Sequence, residues 1–335
     1  MEDRYAFAPQ MQDYDALGGN QVWIPYLMLF TQPNSQFPSV TTDAAGIRST
    51  IDTLGSVINI ADINDKEELS VIMGGSTVFG VGATADKFTI PSNLNQITKQ
   101  KWLNFGGRAF NSTQELLLLI LQMPKKINKI VVMSGVNNII ISFLSKNPSP
   151  FWAPFYDQEI FLKTMETPAF GHLGVRKSFA IFLREFYKFF KGGDSNKSYC
   201  DNFEINYSNT LRQFQRDLAA LRILGAGMGV PVYFALQPVV TWIEKELSKE
   251  EVRIFEILDN LPGSSWIILQ NELRSVRNRY FMDLDRICRA EGVPFYNMNL
   301  DGEFAKNEWL FVDRVHMNDR GNMLAATILK RVFNL

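Results

Sequence analysis

The chain has 335 residues, 46% of them hydrophobic and 21% charged, with a formal net charge of −1. That length can bury a large core, and the near-neutral balance excludes the basic footprint of a general nucleic-acid binder. Two distant cysteines, Cys200 and Cys288, lack metal-ligand spacing; they exclude a disulfide-rich scaffold and read as buried free thiols.

The N-terminal stretch MEDRYAFAPQMQDYDALGG is acidic and has no basic segment leading into an apolar core, so it does not read as a secretory signal. No run of about 18 apolar residues is present to span a bilayer. The default expectation is a cytoplasmic protein, with a periplasmic or secreted location left open. Residues 1–66 read as an arm of short mixed elements, in which Val22 to Phe30 is aromatic and β-rich and Asn34 to Pro38 is turn-like.

The next stretch, LSVIMGGSTVFGVG from Leu69 to Gly82, runs a short apolar strand into a glycine-flanked serine. Val71, Ile72 and Met73 read as a buried parallel strand, and Gly74 and Gly75 let the chain turn sharply. Ser76 then stands at the carboxyl end of that strand, which is where ligands bind in open α/β sheets. Pro91 fits the first turn of a helix, and Trp102 to Phe105 is a second strand ending in Gly106 and Gly107. Ser112 with Glu115 reads as the capping pair of the helix ELLLLILQM. Lys129 to Met133 is a third strand, followed by Gly135, Asn137 and the helical run NNIIISFL.

Strand and helix alternate through short links, which predicts right-handed crossovers and a parallel sheet with helices on both faces. The fold class is therefore α/β: a three-layer α/β/α sandwich with a central parallel sheet, flavodoxin-like. Residues 145–203 break the rhythm with NPSPFWAPFYDQEIF, rich in proline and aromatics, and read as an insertion that shapes access to the site. Gly174 to Phe190 has a phenylalanine face with a basic rim. A core-facing helix is the commoner origin of that pattern, and membrane association is not expected. A helix over residues 206–224, a strand over 230–236, helices over 250–258 and 272–291 and a strand over 293–297 follow. Asn318 or Asp319 caps the last helix. The whole reads as an arm, residues 1–66, on one domain, residues 67–335.

A serine hydroxyl is a weak nucleophile and needs a base, a group to orient that base, and donors for a developing oxyanion. The chain has two histidines: His172, with no nearby carboxylate pattern and read as structural or insertion-associated, and His316, three residues after Asp313. Taken singly, Ser76 could merely cap a turn, Asn137 a helix, and His316 could be a satisfied loop residue. All three bland roles together, at the ends of strands of one sheet, are a much poorer account. GVGATA, residues 80–85, matches G-x-G-x-x-A but begins four residues past the serine and lacks the distal acid of a dinucleotide site. Val78 breaks the G-x-S-x-G elbow. Two distant histidines without clustered carboxylates supply no metal site, and no cofactor is expected.

The four blocks, in this order, resemble the SGNH (GDSL-type) hydrolase family. The resemblance implies Ser76 as nucleophile, Asp313 and His316 as the rest of the triad, and Gly106 and Asn137 as oxyanion donors beside the Ser76 amide. The choice between Gly106 and Gly107 stays open. Gly74-Gly75-Ser76-Thr77 replaces Gly-Asp-Ser-Leu, and Asn138 replaces the aspartate of Gly-x-Asn-Asp. TTDAAGIRST, residues 41–50, resembles an arm in bacterial members of polysaccharide pathways. The implied activity is hydrolysis of an O-acetyl or short-acyl ester, on a small molecule or a carbohydrate, with Trp152 and Tyr156 as candidate stacking or acyl-pocket residues. The alternatives are acyl transfer to a sugar hydroxyl by the same triad, and a non-catalytic carbohydrate-binding or assembly protein.

Overall fold

The computed structural model describes residues 2–60, 63, 68–144, 203–260 and 266–335. Residues 145–202 lie outside these, and with them fall the expectations for Trp152, Tyr156, His172, Cys200 and the 174–190 segment.

Before the main sheet come two short helices, α1 (Glu2–Phe7) and α2 (Met11–Gly18), and two hairpins, β1 (Val22–Ile24) with β2 (Met28–Phe30) and β3 (Thr50–Ile51) with β4 (Val57–Ile58). The β-rich run expected over Val22 to Phe30 is thus a hairpin. Tyr26 and Met28, at φ of 71° and 69°, adopt the left-handed conformation that reverses the chain.

The main sheet has five parallel strands: β5 (Leu69–Gly74), β6 (Lys101–Gly106), β7 (Ile127–Ser134), β8 (Val232–Leu236) and β9 (Phe295–Asn297). Their order in space is β6-β5-β7-β8-β9. This is the flavodoxin-like arrangement, in which connections leave β5 in one direction and β7 in the other. All six residues of β5 are buried, as a strand covered on both faces must be. Alternate side chains feed two separate cores: Val71 and Met73 join one, Ile72 the other.

The first core is closed by α5 (Ser112–Gln122), α6 (Val136–Leu144), α7 (Phe203–Met228) and α9 (Trp266–Glu291), through residues such as Leu118, Ile139, Phe214 and Leu284. The second is closed by α4 (Ile90–Thr98), α8 (Lys249–Asp259) and α10 (Asp319–Phe333), through Leu94, Ile254 and Ala325. The three layers expected from the alternating pattern are therefore present. The arm contributes to both cores, with Phe30 and Ile47 on one side and Met11 and Tyr14 on the other.

The ends of the helices follow local chemistry, with one correction. Thr89 caps α4 with Pro91 in its first turn, and Asn318, not Asp319, caps α10 by accepting from the Gly321 amide. The capping box of α5, however, is Asn111 with Gln114, one residue earlier than Ser112 with Glu115. Ser112 instead donates to Asp217 of α7, and Glu115 turns inward, where it accepts from Ser134 at the end of β7. Cys288 is a buried free thiol, and burial pushes it up to about 12. Among the described residues no helix is long and apolar enough to cross a membrane.

Burial pushes the Glu115 carboxyl up to about 8, against the Ser134 hydrogen bond and with the charge of Asp217 adding to it. The folded protein holds a proton there that the unfolded chain releases above its ordinary value of 4.5, so stability falls as pH rises from about 4.5 to 8 and levels off beyond. Glu115→Gln removes the group, and its melting temperature should exceed the parent's by more at pH 8 than at pH 5. An offset equal at both pH values would reject this account.

Candidate active site

The register of the sheet brings three turns to one edge. Gly74 of β5 pairs with Gly106 of β6 on one side and with Met133 of β7 on the other. The chain leaving β5 enters α3 (Ser76–Phe79) at once, so Ser76 opens that helix. The end of β6 lies directly against it: a Cβ at Gly106 would sit 2.1 Å from the Phe79 amide nitrogen, which only glycine permits.

The far end of α3 is held by the arm. Arg48 is fully buried, and its Nη1 donates to the carbonyls of Phe79 and Gly80 at 2.9 and 2.7 Å. Its Nη2 donates to the Ser39 carbonyl and its Nε to Asp86, at 2.7 and 2.9 Å. The rings of Tyr14 and Phe79 each lie 5.4 Å from the guanidinium carbon. Tyr14 in turn donates to the carbonyls of Gly80 and Ala83. A buried charge is tolerated when each nitrogen is hydrogen-bonded and the ion is paired, as here.

Asp313 and His316 belong to a tight loop closed by an antiparallel bridge between Phe311 and Met317 and by the Val312 amide donating to the His316 carbonyl. One carboxylate oxygen of Asp313 accepts from the amides of Val315 and His316 at 2.9 and 2.8 Å, which shapes the loop. The other lies 2.7 Å from His316 Nδ1, and His316 Nε2 lies 2.7 Å from Ser76 Oγ. Burial alone would raise the pKa of Asp313, which is 5% exposed, but the charge and hydrogen bond of His316 outweigh it and hold the carboxyl below its ordinary value. In the neutral imidazole an ionised acceptor at Nδ1 obliges that nitrogen to carry the proton. Nε2 is then left with a lone pair facing the serine hydroxyl.

Three contacts dock this loop onto the Ser76 turn. Gly82, at φ +99°, allows the Met317 carbonyl to approach within 2.4 Å of where a Cβ would stand. Thr84 binds the Asp319 carboxylate through both its amide and its hydroxyl. Thr77 Oγ1 donates to the Val315 carbonyl at 3.2 Å and accepts from Gln237 Nε2 at 2.8 Å. The glycine-rich run GVGATA is thus occupied in seating the His316 loop. Gln237 is itself fixed, since its amide donates to Ser134 and its carbonyl accepts from Asn299. Thr77, Gln237 and Asn299 did not emerge from the sequence reading. Gln237 carried a usable signal, because it is the first residue past the carboxyl end of β8.

Asn137 is the second residue of α6, inside the helix rather than before it as a cap. Its carboxamide nitrogen donates to the Phe110 carbonyl at 2.8 Å and lies 2.7 Å from where a Cβ of Gly75 would be. One of its two N–H bonds is thereby used and the other is left beside the Ser76 turn. The glycines of the second block are differently committed. The Gly106 amide donates to Asn104 Oδ1 and the Gly107 amide to the Gly74 carbonyl, both at 2.9 Å. Asn138 joins α6 to α5 by accepting from the Ser112 amide and donating to its hydroxyl.

No family model and no curated protein sequence matches the chain. Among solved structures it is similar to a Streptomyces rimosus extracellular lipase, at 9% identity over 79% of this chain and 99% of that one, TM-score 0.43. It is also similar to a variant of a Geobacillus acetyl-xylooligosaccharide esterase, at 13% identity over 82% of this chain and 96% of that one, TM-score 0.41. An acetyl xylan esterase, AlAXEase, is similar at 12% identity over 79% and 98% of the two chains, TM-score 0.40.

Replacing Arg48 by methionine removes the ion pair with Asp86 and the hydrogen bonds to the carbonyls of Ser39, Phe79 and Gly80. The expected loss is about 3–5 kcal/mol in urea unfolding, the cost typical of breaking a buried pair from one side. A loss below about 1 kcal/mol would show that water takes over those groups.

Proposed function

We propose that this protein is a serine ester hydrolase of the SGNH type. The observation that carries the reading is the continuous hydrogen-bonded chain from Ser76 Oγ through His316 to Asp313, 2.7 Å at each step. In the proposed reaction His316 Nε2 takes the Ser76 proton as Oγ attacks the ester carbonyl. Asp313 keeps the imidazole in the required tautomer and stabilises the imidazolium. Collapse of the tetrahedral intermediate expels the alcohol, which receives the proton from His316. Water then enters by the same route and releases the acid from the acyl-serine.

The oxyanion is assigned to the Ser76 amide and the second N–H of Asn137. Gly106, proposed from the resemblance as a third donor, has its amide taken by Asn104 and would need to exchange that bond during turnover. Its evident contribution is the space it leaves for α3. The substrate class proposed is an O-acetyl or short-acyl ester, borne by a small molecule or a carbohydrate, without cofactor or metal.

A serine-directed phosphonate should add once, at Ser76, and Ser76→Ala should abolish hydrolysis of p-nitrophenyl acetate. An adduct elsewhere, or full activity in the variant, would overturn the assignment. Asn137→Ala should lower kcat by about 10²- to 10³-fold with KM little changed, because the oxyanion charge exists only in the transition state. A variant with parental kcat and a lowered melting temperature would reduce Asn137 to a tether for the Phe110 turn.

A further inference from the structure

Next to the His316 loop lies a cavity of about 400 Å³, walled by the segment after β8, by the first half of α9, and by Arg314. All three lie at the carboxyl edge of the sheet, and the Val240 amide donates to the Arg314 carbonyl, joining the cavity wall to the loop that holds Asp313 and His316. Its lining is rich in cations: Lys245, Arg274, Arg277 and Arg314.

Three of these have internal partners. Lys245 is buried against Glu251, Arg277 pairs with Glu244 at 3.0 Å, and Arg314 pairs with Asp259. Arg274 is exposed, and no ion pair or hydrogen bond engages it among the described residues. Two further polar atoms of the lining are buried and unsatisfied: the hydroxyl of Thr241, a residue 8% exposed, and Nε of Arg277. Arg314 Nε is also unsatisfied, but Asp259 Oδ1 beside its partner oxygen is too, so those two can satisfy each other and are set aside. What remains is a hydroxyl, an arginine N–H and a whole guanidinium around one space, while the single carboxylate of the lining, Glu244, is already paired with Nη1 of Arg277. Buried donors are rarely left so unless a ligand or ordered water completes them.

We propose that this cavity is a subsite for an oxyanion group, a carboxylate or a phosphate, carried by the molecule whose ester is cleaved. Arg274 and Arg277 Nε bind the anion and Thr241 donates to it. The volume suits one acidic sugar unit or a phosphate with its attached carbon. As a subsite for substrate this rests on the ester-hydrolase reading, but binding of the anion does not, so the two are measured apart.

Calorimetric titration of the full chain with glucuronate, inorganic phosphate and glucose tests it. Saturable binding of glucuronate alone makes the group a carboxylate on a sugar, and binding of phosphate alone makes it a phosphate; glucose should not bind. Arg274→Ala, at an exposed position where folding is not at stake, should weaken the bound anion by about tenfold or more, the scale of a charged hydrogen bond. Thr241→Val should weaken it less, with circular dichroism reporting whether the fold is kept. Binding of neither anion, or binding unaltered in Arg274→Ala, overturns the proposal. If anions bind while Ser76 fails to label, the subsite stands and the hydrolase reading falls.

Discussion

A single contact sets the terms for the rest of the structure: the imidazole of His316 against the hydroxyl of Ser76, between residues 240 positions apart. Neither side holds itself. The helix that carries Ser76 has four residues and makes too few internal hydrogen bonds to be stable alone. The loop that carries His316 is a hairpin with one bridge. Each is rigid because something else fixes it: Arg48 and Tyr14 from the arm on one side, and Asp313 with the Gly82, Thr84 and Thr77 contacts on the other. The order of the site is thus borrowed largely from parts of the chain outside it.

This distribution explains what could be read from the residues alone. The strands announce themselves because parallel strands buried on both faces are continuous apolar runs, and each of the first three ends in glycine where the chain must turn. Ser76, Asn137 and His316 follow from that punctuation together with the rarity of histidine. The residues that escaped notice act through conformation rather than through type. Arg48 looks like any arginine until its donors are counted against carbonyls of α3. Thr77 and Gln237 carry no charge and no periodic signal. The shift of the α5 cap from Ser112 to Asn111 arises because Ser112 is claimed by Asp217 on a distant helix, a tertiary demand that local pattern cannot register. The Gly106 amide was misleading for a related reason, since a side chain two residues earlier bends back to take it.

The electrostatics divide in the same way. Around Ser76 the charges are paired or neutral, and the loss Asp313 suffers by leaving water is offset by two backbone amides and an imidazole. Beneath the sheet, Glu115 has one hydroxyl for company and resolves its burial by keeping its proton. On the edge beyond β8 the balance tips the other way, with donors exceeding acceptors. One chain with almost no net charge therefore holds an ionised acid, a protonated one and a cationic hollow in separate places, each set by local partners.

The distance in sequence between the two halves of the site also fixes when it can exist. His316 and its docking contacts follow the turn they seat against by 235 to 240 positions. Long-range contacts of this kind close late, after the sheet that frames them. A partly closed molecule can thus own its sheet and its serine and still lack the imidazole, so appearance of the Ser76–His316 pair marks the moment closure is complete.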